Sequence, residues 1–257
     1  MIFQTIGNKN GDAILFFHAM GVTGESSLRI AEYLKDKYYI ILPTSTVYCE
    51  GQRYISKDKE IEELEAFLSK EGIERIKLLV SSSLGADLAL AFLSKGHTRV
   101  DRAFFDGGQF AQLSPFTRRI MTPILYYAIR SLYKTNGRTL KKILWCDDED
   151  IKPYFIKAGK KLTYSNLKRQ MSDSLENKPF PPLRNIKEEN CIFEFGSIEE
   201  HFKYRPAVMA AYPGASYPVF SGFNHMEYQI KDPKGFAVML DEIIEKGRLP
   251  NLAFLKD

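Results

Sequence analysis

Residues 76–95 constrain the fold of this chain more than any other stretch. Ile76 to Val80 is a short apolar run of strand type. Leu84, Leu88 and Phe92, with the small residues Gly85, Ala86 and Ala89, set up a helix directly behind it. Only Ser81, Ser82 and Ser83 bridge the two. A chain that turns from buried strand to helix so abruptly needs small side chains where the two crowd together. It also pushes the residue at the apex out of the sheet edge, as a nucleophile requires. Gly85 sets the register and makes that residue Ser83. Ser81 stands where such turns usually carry glycine, and it is small enough to serve. Serines at a strand-to-helix junction are also ordinary N-cap chemistry, so the segment needs support from the rest of the chain.

The surrounding pattern supplies it. Strand-type runs fall at 13–18, 39–42, 76–80 and 102–106, with helical spacing at 26–35, from Ser56 to Gly72, and at 84–95. Such alternation predicts an α/β fold, a mostly parallel doubly wound sheet with helices on both faces. From about 112 to 187 only helical patterns occur. Thr122-Pro123 predicts a helix start. Shorter helices are expected over 139–146, 153–161 and 164–175, and residues 177–182 read as an exit linker. Strand character returns at 191–196 and 216–220, separated by a helix from Pro206 to Tyr212. A closing helix begins after Asp232-Pro233. The expected organisation is a core of residues 1–111 and 188–257, with residues 112–187 inserted as a helical cap over the carboxyl ends of the strands.

Composition narrows the function. A chain of 257 residues is long enough for one domain with a full core. Its net charge of +4 comes from scattered basic residues, which argues against nucleic-acid binding. Cysteines 49, 146 and 191 lack both metal-ligand spacing and the look of a disulfide framework, so a reducing compartment, the cytoplasm, is expected. No apolar run approaches the roughly 20 residues of a membrane span, so no stable membrane insertion is expected. The first residues lack the features of a signal peptide.

Acyl transfer by a serine needs a base, a group that orients the base, and donors for the oxyanion. His225, in Gly222-Phe-Asn-His225, follows the last strand run and falls at the same sheet edge as Ser83. The turn after 191–196 offers Glu199, with Glu200 and Asp106 as alternatives for the orienting acid. His18-Ala-Met-Gly21 follows the first strong strand. A turn of small residues there can aim a backbone N–H at a developing oxyanion, making Met20 and Leu84 the candidate donors. His97, just past Gly96, reads as a surface residue.

These motifs together resemble the α/β-hydrolase family. The matching residues are His18-Ala-Met-Gly21, Ser81-x-Ser83-x-Gly85, Gly196-x-x-Glu199 and Gly222-x-x-His225, in the family's order of Ser, acid and His. Ala19 and Ser81 replace usual glycines, and Glu replaces the commoner Asp. The N-terminus is short for the family, so the first strand of its usual sheet is expected to be missing. The resemblance implies a serine hydrolase of carboxylesterase type acting on a small-molecule acyl substrate, without cofactor or metal. A non-catalytic small-molecule-binding or interaction protein on the same fold is the alternative. Residues 110–146 carry no Asp or Glu but hold Arg118, Arg119, Arg130, Lys134, Arg138, Lys141 and Lys142. This reads either as a lid whose basic face attracts an anionic substrate or a membrane surface, or as a solvated face neutralised by the acids at 147–150. The insert's apolar residues are expected to pack on the sheet. The sequence leaves the oligomeric state open.

Overall fold

The computed structural model describes residues 1–142, 144–145, 148–176 and 178–256. Its centre is one sheet built from β1 (Ile2–Gly7), β2 (Ala13–Phe17), β3 (Tyr39–Thr44), β4 (Arg75–Ser82), β5 (Arg99–Val100), β6 (Ala103–Asp106), β7 (Cys191–Gly196), β8 (Val219–Phe220) and β9 (Leu255–Lys256). The spatial order is β1-β3-β2-β4-β6-β7-β8-β9, with β5 lying beside β4. Pairings from β3 to β8 are parallel, and the edge strands β1 and β9 pair antiparallel to β3 and β8.

The helices are α1 (Leu28–Ala31), α2 (Lys57–Lys70), α3 (Gly85–Lys95), α4 (Pro115–Lys134), α5 (Lys152–Lys161), α6 (Tyr164–Ser174), α7 (Arg205–Ala211), α8 (Glu227–Lys231) and α9 (Pro233–Lys246). Period-two alternation in the strands divides the core between the two faces of the sheet. Leu15, Phe17 and Leu79 pack with Ile61, Leu64 and Leu68 of α2 and with Ala89 and Leu93 of α3. Ile14, Phe16, Leu78 and Val80 pack on the other face with Ile30 and with Phe236, Leu240 and Ile243 of α9. Each fully buried Leu, Ile or Phe contributes roughly 1.5–3 kcal/mol, which holds the central strands rigidly in register. That register matters for the site. Ser82 pairs with Asp106, and Asp106 pairs with Glu194, so the carboxyl ends of β4, β6 and β7 form a continuous ledge.

Several elements depart from the sequence expectation. The sequence reading placed no strand at 2–7, where β1 is half-exposed and its pattern does not alternate cleanly. The stretch 216–220 holds only a two-residue ladder at Val219–Phe220 and an isolated bridge from Ser216 to Ile192, since Pro218 cannot donate to a ladder. The helix expected to start at Thr122-Pro123 starts instead at Pro115, where the Ser114 hydroxyl accepts from the Thr117 N–H at 3.1 Å. Pro123 lies inside the helix. It has no N–H for the Arg119 carbonyl one turn back, and just before it the Thr122 hydroxyl donates to the Arg118 carbonyl at 2.7 Å. Over 139–146 the described residues hold only a 3₁₀ turn at Leu140–Lys142; positions 143 and 146 lie outside the described residues, as does Asn177 of the expected linker.

The segment between β6 and β7 is helical, as expected, and lies against the site end of the sheet. Ile129 of α4, Ala158 of α5 and Met171 of α6 pack with Leu84 at the start of α3, and Met20 and Leu125 join them. No helix among the described residues is long and apolar enough to cross a membrane.

Candidate active site

Ser83 occupies the apex between β4 and α3 with φ of +51°, a left-handed conformation that a non-glycine residue adopts only when its surroundings hold it there. Three backbone hydrogen bonds do so. The Ser83 N–H donates to the Asp106 carbonyl at 3.0 Å, and the Ser83 carbonyl accepts from Ala86 at 3.0 Å and from Gln109 at 2.9 Å. Gly85 is required for crowding rather than for φ. A Cβ there would lie 2.6 Å from the Phe17 carbonyl oxygen and 2.8 Å from that of His18. Ser81 is fully buried at the other crowded position.

His225 stands over this apex. Its Nε2 lies 2.9 Å from Ser83 Oγ, and its Nδ1 lies 2.7 Å from Glu199 Oε2. The other Glu199 oxygen accepts the Gly196 N–H at 3.2 Å, which orients the carboxylate on the turn after β7. The His225 loop is fixed at both of its backbone polar groups. Its N–H donates to Asn224 Oδ1 at 2.8 Å, and its carbonyl accepts the Trp145 indole N–H at 2.7 Å. Gly107, at φ +56°, closes one side of the site. A Cβ at that position would sit 2.7 Å from His225 Nδ1 and 3.0 Å from Glu199 Oε2.

The structure thus brings Ser83, Glu199 and His225 together. Glu200 is exposed and pairs with Lys203 at 3.1 Å, away from the imidazole. Asp106 lies close by but turns elsewhere, taking a hydrogen bond from the Gln229 side chain, which also donates to Ser82 Oγ at 3.0 Å. Met20 and Leu84 line one small cavity of about 30 Å³ with Gly85 and Gln170. Among the described residues neither backbone N–H of this pair donates to a protein acceptor. The His18 ring is half-buried and tied to backbone as a structural group. Its Nε2 accepts the Ser45 N–H at 3.0 Å and its Nδ1 lies 2.8 Å from the Ala19 carbonyl oxygen. His97 is exposed, as expected.

Burial sets the protonation states. It holds the His225 imidazole well below its ordinary value, at about 4, against a smaller opposing effect of the Asp106 charge. His225 is therefore neutral at pH 7, and a neutral imidazole whose Nδ1–H is held by a carboxylate presents the Nε2 lone pair to the serine hydroxyl. Burial also raises Glu199, to about 7, opposed by the neighbouring His201 and the Gly196 N–H. Behind the site, burial raises Asp106 to about 6 and drives Glu194 well upward, helped by the adjacent Asp106 charge. Two carboxylates side by side in the sheet cannot both ionise cheaply, so the pair holds a proton between them.

Sequence reasoning missed three neighbours. His201 Nδ1 lies 3.3 Å from His225 Nδ1, the two rings nearly perpendicular at 89°. Glu199, His201 and His225 offer one donor atom each within 4.8 Å of one another, the only such trio among the described residues. A metal ion there would compete with the His225–Glu199 hydrogen bond, since those two residues supply two of the three donors. Gln229 and Trp145 were also missed. Contacts to a strand-end carboxylate or a loop carbonyl leave no mark in local sequence.

No family model matches the chain, and no curated protein matches it. Solved structures do, over nearly its whole length. An α/β-hydrolase family protein of Desulfitobacterium hafniense superposes with a TM-score of 0.75 at 17% identity, covering 95% of this chain and 100% of its own. The chain has the α/β-hydrolase fold. A bromoperoxidase of Bacillus anthracis (TM-score 0.71, 14% identity, covering 95% of this chain and 94% of its own) and a thermophilic esterase of Thermogutta terrifontis (0.70, 15%, 95% and 93%) are similar to the same extent. At such identities the likeness speaks for the fold, and the chemistry of this α/β-hydrolase-fold chain has to be argued from its own residues.

Proposed function

We propose that this protein is a serine hydrolase that cleaves a carboxylic ester or a related acyl substrate. The observation that carries the reading is the unbroken line from Ser83 Oγ to His225 Nε2 at 2.9 Å and from His225 Nδ1 to Glu199 Oε2 at 2.7 Å. In this reading Ser83 Oγ attacks the acyl carbon while its proton passes to His225 Nε2. Glu199 stabilises the imidazolium that forms and keeps the ring in the correct tautomer. The Leu84 and Met20 N–H groups hold the oxyanion. The imidazolium then returns the proton to the leaving alcohol, leaving an acyl group on Ser83. A water molecule, deprotonated by His225, releases the acid and restores the serine.

The helical segment 112–187 serves as the cap in this proposal, its α4, α5 and α6 side chains shaping the acyl pocket beside Leu84 and Met20. Esterases among the solved structures with this fold support the substrate class. The reading as a non-catalytic binding protein is less favoured, because such a protein has no need of a serine held at positive φ against an imidazole. Turnover of p-nitrophenyl esters of increasing acyl length tests the proposal. Multiple turnovers with at least one ester, abolished in Ser83→Ala, are expected. No hydrolysis of any ester by folded parent protein would contradict it.

A further inference from the structure

The outer face of α4 carries large apolar side chains where a helix on a globular protein normally carries polar ones. Phe116 is 73% exposed, Ile120 48%, Ile124 57% and Tyr127 67%. Their spacing of four, four and three residues puts them in one line along the helix. The opposite face is also apolar, and Ile129 and Leu132 are buried there with Leu125 partly covered. A helix apolar on both faces, with one face left bare, presents a contact surface. The segment's apolar residues were expected to pack on the sheet; its inner face packs instead on turns beyond the strand ends and on the segment's own helices, and its outer face is bare.

The charge around this line identifies what it can meet. Arg119 and Lys134 are exposed on α4, and from 110 to 142 the chain has basic residues but no Asp or Glu. The acids at 147–150 were the expected neutralising partner. The described ones are engaged elsewhere, Asp148 and Asp150 with Arg29 at 3.6 and 3.5 Å and Glu149 with Lys152 at 2.5 Å. Arg130 donates to the backbone carbonyls of Gly159 and Lys160, which carry no charge to offset its own. A second copy of this chain would bring the same basic surface against itself, and like charge opposes that pairing. An anionic lipid surface offers the complement, with headgroups for the cations and acyl chains for a Phe, two Ile and a Tyr.

We infer that α4 is a peripheral docking helix for anionic phospholipid membranes, lying in the interface with Phe116, Ile120, Ile124 and Tyr127 in the acyl boundary. The attachment is reversible and does not span the bilayer. It is independent of the proposed chemistry at Ser83.

Flotation of the whole protein with vesicles tests this, using phosphatidylglycerol–phosphatidylcholine mixtures and pure phosphatidylcholine at low and high salt. The expected result is partitioning onto the mixed vesicles that is at least tenfold weaker on pure phosphatidylcholine and weakened by salt. An Ile120→Glu/Ile124→Glu variant should lose at least tenfold in partitioning while its thermal unfolding matches the parent, since both positions are exposed. Arg119→Glu/Lys134→Glu should weaken binding to the mixed vesicles and remove much of its salt dependence. Absence of binding to the mixed vesicles, or equal binding by the apolar variant, would overturn the inference. So would a concentration-dependent dimer that the Ile120→Glu/Ile124→Glu variant breaks, because it would assign the face to self-association.

Discussion

Two sets of buried carboxylates sit at the same sheet edge and solve the cost of burial differently. Asp106 and Glu194 project from adjacent strands, facing each other across the β6–β7 register. Glu199 sits on the turn beyond β7 with its side chain fully shielded from solvent, and its partner is the imidazole of His225 at 2.7 Å. The first pair lowers its cost by retaining a proton. Glu199 instead faces a group that can become cationic, so its charge gains a partner at the moment a serine proton moves. Burial alone does not distinguish the two, nor does a raised pKa. The direction of one hydrogen bond does, and it separates a carboxylate able to assist chemistry from carboxylates that shape the floor beneath it.

Substitution at each set should break the comparison most visibly if it is wrong. Glu199→Gln leaves the shape intact but cannot hold the imidazolium. It is expected to lower kcat by roughly a thousand- to ten-thousand-fold with little change in KM. Asp106→Asn should cost less than about tenfold. Steady-state kinetics on whichever ester turns over would read both, and equal losses would erase the distinction drawn between them.

A smaller effect is expected where the two sets meet. Gly107 follows Asp106 and lies against the His225–Glu199 contact. Gly107→Ala places a methyl group on that contact and strains a backbone at φ +56°. A loss of about a hundredfold in kcat/KM is expected from the displaced imidazole, with about 1–2 kcal/mol lost in unfolding stability. Unchanged kinetics would mean that the imidazole tolerates displacement.

The smallest effect concerns stability and pH. Folded-state values raised above those of the unfolded chain, as for Asp106 at about 6, mean that the native protein keeps protons the unfolded chain has released. The stability this contributes is full below the unfolded value and is lost as pH rises through the folded one. Glu194→Gln supplies a permanently neutral partner for Asp106. It is expected to stabilise the protein by about 1–2 kcal/mol at pH 8 and to flatten the decline between pH 4 and 7. Denaturant unfolding across that range would measure it, and an unaltered pH dependence would refute the shared proton.

Most of the sheet and the three residues of the candidate site were legible because each has a local cause. Strand runs, Gly85 and the turns at Gly196 and Gly222 leave marks a few residues long, and the order of Ser83, Glu199 and His225 joins them. The spacing from Gly196 favours Glu199 over Glu200 and Asp106, but which carboxylate turns to the imidazole depends on the path of the loop after β7 and shows only in the structure. His201 went unread for a similar reason: it approaches His225 only once the 3₁₀ turn Glu200–Tyr204 has formed. Pro123 misled because its usual place is the first turn of a helix, whereas here the packing of α4 on α5 and α6 carries the helix through it. The exposed line on α4 was hidden because apolar residues at helical spacing look alike on either face.

The measurement that tests the central claim most directly is labelling with a fluorophosphonate probe, with the adduct located by mass spectrometry in the parent, Ser83→Ala and His225→Ala. The account predicts one adduct on Ser83, absent from Ser83→Ala and formed at least about a hundredfold more slowly in His225→Ala. An unlabelled Ser83 in folded parent protein, or labelling as fast without His225 as with it, would contradict the claim that His225 activates this serine.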